Sequence, residues 1–215
     1  MSEAHPHLTA EHTAFLTTAL AKVNLDLGAV AGKSHGAGSH PGAMVISADP
    51  VHDNLDSRLI EISSVQHLKE VAGIPDSYYK THRGADAAVI YPPEPVTDFA
   101  RAIAQARADS CALESLIDPA DMECINEATL AFVNGDSEKV IRYEPVINAL
   151  RFPAQAILTI GENITVTKEK PLIIGDNSPH VIGGKVIFGT VTIEPGGQII
   201  VLIPVNFEAA QIISK

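Results

Sequence analysis

Hydrophobic residues recur along this chain with two different periods, and the change from one to the other falls near residue 150. Before it, apolar positions repeat every three or four residues, as on one face of a helix. Leu16, Leu20, Val23 and Leu27 form the first such stripe, and Thr9 is a suitable N-cap ahead of it. Residues 28–42, GAVAGKSHGAGSHPG, then read as a glycine-rich loop. Met44–Ser47 reads as a short strand. Asp56 or Ser57 is expected to cap a helix running to about Ala72, ended by Gly73 and Pro75.

Ala87–Tyr91 reads as another short strand, ended by Pro92 and Pro93, and the PPEP stretch 92–95 must be extended because proline disfavours helix in the residue before it. Three helices follow. They are signalled by Thr97 ahead of Phe99, Ile103, Ala106 and Leu113, by Asp118 with Pro119 at its first position, and by Ser137 ahead of Val140 and Ile141. Gly135 ends the second, and Pro145 predicts a kink or two short helices in the third.

From Ala154 the period is two. AILTI, NITVT, PLIIG, KVIFGTVTI, QIIVLI and VNF read as strands, separated by GE, KEKP, GDNSPHVIGG, EPGG and Pro204. Val191 and Ile193 alternate with Thr190, Thr192 and Glu194, whereas 199–203 is apolar on both faces and demands cover on both sides. The phrase GTVTIEPGGQIIV resembles the rungs of β-solenoid and β-helix proteins, which implies short stacked strands. A β-sandwich or jelly-roll-like sheet has similar turn spacing. The expected class is therefore α+β: a helix and His/Gly-rich loop over 1–43, a mixed and mainly helical region over 44–151, and a β-rich module over 152–215, reached through Arg151-Phe152-Pro153.

Charge sharpens this division. The 215 residues carry a formal net charge of −11, which makes nucleic acid and anionic membrane poor partners. From Phe152 onward, however, there are four Lys/Arg against five Asp/Glu, so the β module is nearly neutral. Such strands lack the charge that discourages edges from pairing with other chains. No stretch reads as a secretory signal or a membrane span, so the expectation is a cytoplasmic protein, with signal-less export as the alternative. Cys111 and Cys124 are too few for a disulfide framework and read as buried thiols.

Candidate chemistry is sparse. Residues 28–34, GAVAGKS, resemble a phosphate-binding P-loop but are one residue short of its spacing, so Lys33 and Ser34 read as loop residues. His5, His7, His35 and His40 are the candidate metal ligands, without the spacing of a complete zinc signature. Cys111 or Cys124 with His67 or His82 lacks any nucleophile signature. Asp118, Asp121 and Glu123 are explained by their place in a helix first turn. The loop 77–84 gathers Tyr78, Tyr79 and Arg83 into a candidate binding patch.

With no catalytic motif and no cofactor expected, the sequence points to a non-enzymatic self-assembling structural or protein-interaction protein, a homo-oligomer with a protein partner as the alternative. Val191, Ile193, Ile200 and Leu202 are its expected contact residues, with Tyr78, Tyr79 and Arg83 as a second patch. The alternatives are a metal-dependent enzyme using the N-terminal histidines, and a binding module or toxin-like effector recognising a surface. Against the latter, the β module has no Trp or Tyr on which a sugar could stack.

Overall fold

A computed structural model of the chain describes residues 9–30, 32–35, 42–109, 112–175 and 181–215. It is an α+β protein whose chain divides into two compact units: one takes the chain up to Ile60 together with Gln155–Lys215, the other Glu61–Ala154.

The first unit contains α1 (Ala10–Ala21) and eight strands: β1 (Ser34–His35), β2 (Met44–Ile46), β3 (Arg58–Ile62), β4 (Ala154–Val166), β5 (Leu172–Ile174), β6 (Val181–Ile193), β7 (Ile199–Val201) and β8 (Val205–Ser214). The larger sheet has the order β1-β4-β6-β8, with β3 also on β4, and the smaller has the order β2-β5-β7. The pairs β1–β4, β4–β6, β6–β8, β2–β5 and β5–β7 are all parallel. Parallel neighbours cannot be joined by a tight hairpin. From β4 onward the chain therefore alternates between the sheets, larger to smaller and back, until it ends on β8. Leu158 aligns with Lys185 and Leu172 with Ile199, so both sheets advance by the same 27 residues at this step. That is the stacking that the solenoid-like phrase implies, although the pairing shows neither a closed solenoid nor a closed sandwich.

Stacking in register builds the core in columns. Met44, Leu172 and Ile174 of the smaller sheet pack with Ile157, Ile164, Val186, Phe188 and Val191 of the larger, all buried. On the other face of the larger sheet, Leu158, Ile160 and Ile187 lie under Leu16, Ala19 and Leu20 of α1. Thr9 caps α1 as expected, its hydroxyl accepting from the His12 amide.

The Gly161-Glu162 pair, read as a turn, lies inside one continuous strand. A Cβ on Gly161 would come within 2.5 Å of the Phe188 ring, so glycine is required there by close packing rather than by a chain reversal. β8 likewise runs well beyond the expected VNF. Arg58–Ile62, read as the start of a helix, is a strand because β4 offers it an edge. The helix that follows begins only at Val65, capped by Ser64. Residues 87–91 form turns and irregular chain, not a strand.

The second unit holds α2 (Val65–Ala72), α3 (Asp76–Thr81), α4 (Phe99–Asp109), α5 (Pro119–Asn134) and α6 (Glu144–Arg151). Asp118 caps α5 by accepting from the Ala120 and Asp121 amides. Pro145 falls in the first turn of α6, after a 3-10 segment, 137–143, that Asp136 caps in place of the expected Ser137, so the third pattern is two short helices. Buried Lys69 ties this unit together. Its ammonium donates to the carbonyls of Phe132 (2.8 Å) and Gly135 (2.6 Å) at the end of α5 and pairs with Asp76 (2.9 Å).

Candidate association surface

The core columns of the first unit end differently at their two extremities. In the smaller sheet Ile46, Ile174 and Val201 stand in one column. Ile46 and Ile174 are fully buried, while Val201 is 51% exposed. In the larger sheet Ile164, Val191 and Ile212 stand in one column, and only Ile212, at 61%, is exposed. Val201 and Ile212 occupy core positions of the last described rung, and among the described residues no further rung lies over them. Ile200 and Leu202, 39% and 58% exposed, flank Val201 and extend the apolar surface.

The same extremity exposes two sheet edges, since among the described strands β7 and β8 each have a neighbour on one side only. Such an edge is a template for another strand unless charge, proline or a bulge blunts it. From Gln198 to Lys215 the only charged residues are Glu208 and Lys215. Glu208 is spoken for: Lys185, buried, donates to it at 2.7 Å, and Lys22 lies 3.9 Å away.

The opposite extremity is covered. Asn54 lies along β2 as a further strand residue would: its amide donates to the Val45 carbonyl (3.1 Å), its Oδ1 accepts from the Val45 amide (2.7 Å), and its Nδ2 donates to the Ala43 carbonyl (3.0 Å). Leu55, beside it, is fully buried in the same core as Met44 and Ile46. Asp53 holds this loop by accepting from the amides of Ser47 (3.1 Å) and Ser57 (2.8 Å).

Of the residues expected to make contacts, Val191 lies in this chain's own interior and Ile193 packs against the same core, whereas Ile200 and Leu202 lie at the open extremity. Val201 lies in the 199–203 segment that the sequence marks as needing cover but was not singled out, and Ile212 escaped the reading of the sequence. The signals that could have singled out these two are the 27-residue offset that places Val201 on Ile174 and the 21-residue offset that places Ile212 on Val191. The second patch is divided. Tyr78, 44% exposed, stacks on His82 with ring centroids 4.2 Å apart, and Arg83 is exposed, but Tyr79 is buried and donates to the Asn134 carbonyl at 2.6 Å.

The remaining candidates have local roles. His5, His7 and His40 lie outside the described residues, as does Cys111. His35 is buried at the end of β1, edge-on to Phe188. Among the described residues no three His, Cys, Asp or Glu side chains are grouped as metal ligands would be. Lys33 donates to Asp56 at 2.7 Å, and this hydrogen bond holds the Asp56 carboxyl below its ordinary range. The Gly32 amide donates to a Glu162 carboxylate oxygen (3.1 Å), so the P-loop-like segment already cradles an anion of its own chain. His67 and His82 contact Ser63 and Thr81, whereas Cys124 sits beside Tyr143. Burial pushes the Tyr143 phenol up to about 12. No described helix is long and apolar enough to cross a membrane.

No protein-family model matches the chain, and no curated protein or solved structure is significantly similar to it.

Proposed function

We propose that this is a non-enzymatic structural or interaction protein that associates with further copies of itself through the open end of its parallel sheets, formed by β7 and β8. One observation carries the reading: Val201 and Ile212 hold core positions in columns whose other members are fully buried, yet they are themselves half or more exposed. Fully burying such a side chain is worth about 1.5–3 kcal/mol, and these two, already partly covered, would each gain on the order of half of that. The β7 and β8 edges add backbone donors and acceptors that only another strand can satisfy in register. A second copy suits this surface because it is apolar and nearly uncharged, while the chain as a whole is strongly acidic and would repel its own kind elsewhere.

The test is the solution mass of the untagged chain by light scattering across a concentration series, beside the double variant Val201→Lys/Ile212→Lys. The reading expects an oligomer that the lysines convert to a folded monomer. A monomeric wild-type chain at every concentration would remove the basis of the proposal.

A further inference from the structure

We infer that two copies meet open end to open end about a two-fold axis, so that assembly stops at a dimer; this rests on the association surface proposed above. The argument comes from the asymmetry of the stack. A head-to-tail contact joins unlike surfaces and, unless it closes into a ring, grows into a filament. It would require the open end of one copy to seat on the far end of the next, and that end is already occupied. Asn54 takes up both the amide and the carbonyl of Val45, and Leu55 fills the core beyond Met44 and Ile46. In the larger sheet the far edge consists of β1, two residues long, and β3, five residues long, which carries Arg58 and Glu61. Short charged strands of this kind are poor templates for pairing.

The open end, by contrast, is its own best complement. A two-fold axis sets β8 antiparallel to its copy, a geometry in which both strands exchange backbone hydrogen bonds. It also brings Val201, Leu202 and Ile212 of each copy to a surface that carries the same three residues. Like charges are not forced together, because Glu208 is neutralised within its own chain by Lys185. The partner is therefore a second copy of this chain, and the contact consumes the only uncapped extremity that each copy has among its described strands.

The experiment uses the full chain with Cys111 and Cys124 changed to Ser, carrying one spin label per molecule at Gln211→Cys on β8 or at Val51→Cys in the capping loop, where Val51 is 85% exposed. Pulsed dipolar spectroscopy is run on each labelled protein and on an equal mixture of the two, and the mass of the unlabelled wild-type chain is followed by sedimentation equilibrium. The expected result is a mass that saturates at two copies, a short 211–211 distance, and no short 51–211 distance in the mixture. A short 51–211 distance, with a mass that keeps rising with concentration, would overturn the two-fold arrangement and leave the association surface standing. A saturating dimer without a short 211–211 distance would overturn the inference by moving the contact elsewhere. A monomer throughout would overturn the association reading itself. The mass measurement stands even if a labelled variant folds poorly.

Discussion

Ile212 is paired in register with Val191, yet Val191 is fully buried and Ile212 is 61% exposed. The two differ in position rather than chemistry: Val191 has β4 on one side and β8 on the other, whereas β8 is the last strand of its sheet. This predicts opposite costs for the same kind of truncation. Val191→Ala should lower stability by about 2–3 kcal/mol, since it leaves a cavity. Ile212→Ala should change the stability of the monomer by less than about 0.5 kcal/mol. Urea unfolding of each, at a concentration where the chain is monomeric, reads the difference.

The cap on β2 makes a second prediction. Asn54→Ala removes the side-chain partners of the Val45 amide and the Ala43 carbonyl, which should cost about 1–3 kcal/mol. It also uncovers an edge that the wild-type chain keeps closed. Species larger than a dimer should therefore appear in sedimentation velocity for this variant and be absent from the wild type.

In the helical unit, Lys69→Met should be strongly destabilising, by about 3–5 kcal/mol, because it leaves Asp76 and two carbonyls at the end of α5 without their buried cation. Thermal melting followed by circular dichroism measures it. The double change Lys69→Met/Asp76→Asn should recover part of the loss.

Asp76 also gives the unit an acid limb. Burial alone would raise its pKa, but hydrogen bonds from the Ser137 amide, Lys69 and the Ser137 hydroxyl outweigh burial and hold it below the ordinary 3.8. A carboxyl depressed in the folded state contributes stability that is fully present above its unfolded pKa and lost as pH falls through the folded one. Stability of the wild type should therefore decline as pH drops below about 3.8, and Asp76→Asn should flatten that part of the profile.

At the alkaline end, burial raises both Tyr91 and Tyr143 from 10.0 to about 12. A phenol raised in the folded state is one that the unfolded chain ionises more readily, so stability present below pH 10 is lost as pH climbs toward 12. Ultraviolet titration of the folded protein should show these two tyrosines ionising about two pH units late. Tyr143→Phe should weaken the alkaline loss.

How much of this was legible in the sequence depends on the range of the interactions involved. Thr9 and Asp118 could be read as caps because each bonds to amides two or three residues away. Arg58–Ile62 could not be read as a strand, since its partner β4 lies almost a hundred residues further on and its own five residues carry no decisive pattern. The turn phrases KEKP and EPGG mark where strands end but are silent on where the chain goes next. A hairpin and a crossing to a second sheet use the same residues, so apart from the solenoid-like phrase nothing local marked the parallel order of β4, β6 and β8. The exposure of Val201 was hidden for a related reason, because it depends on which strands lie beside β7, and among the described residues only β5 does. Asn54 was missed because its part in covering β2 is a tertiary contact of an ordinary loop residue.

The most direct test of the open end is amide hydrogen exchange along β7 and β8 as a function of protein concentration. Amides of β8 that face β6 are protected in any folded state, but those that face outward have no strand to bond to among the described residues of one chain. The account predicts that exchange of these outward amides between 205 and 214 slows as concentration rises, and that Val201→Lys/Ile212→Lys abolishes the slowing while the rest of the chain stays protected. Fast exchange of the outward amides at every concentration would contradict it.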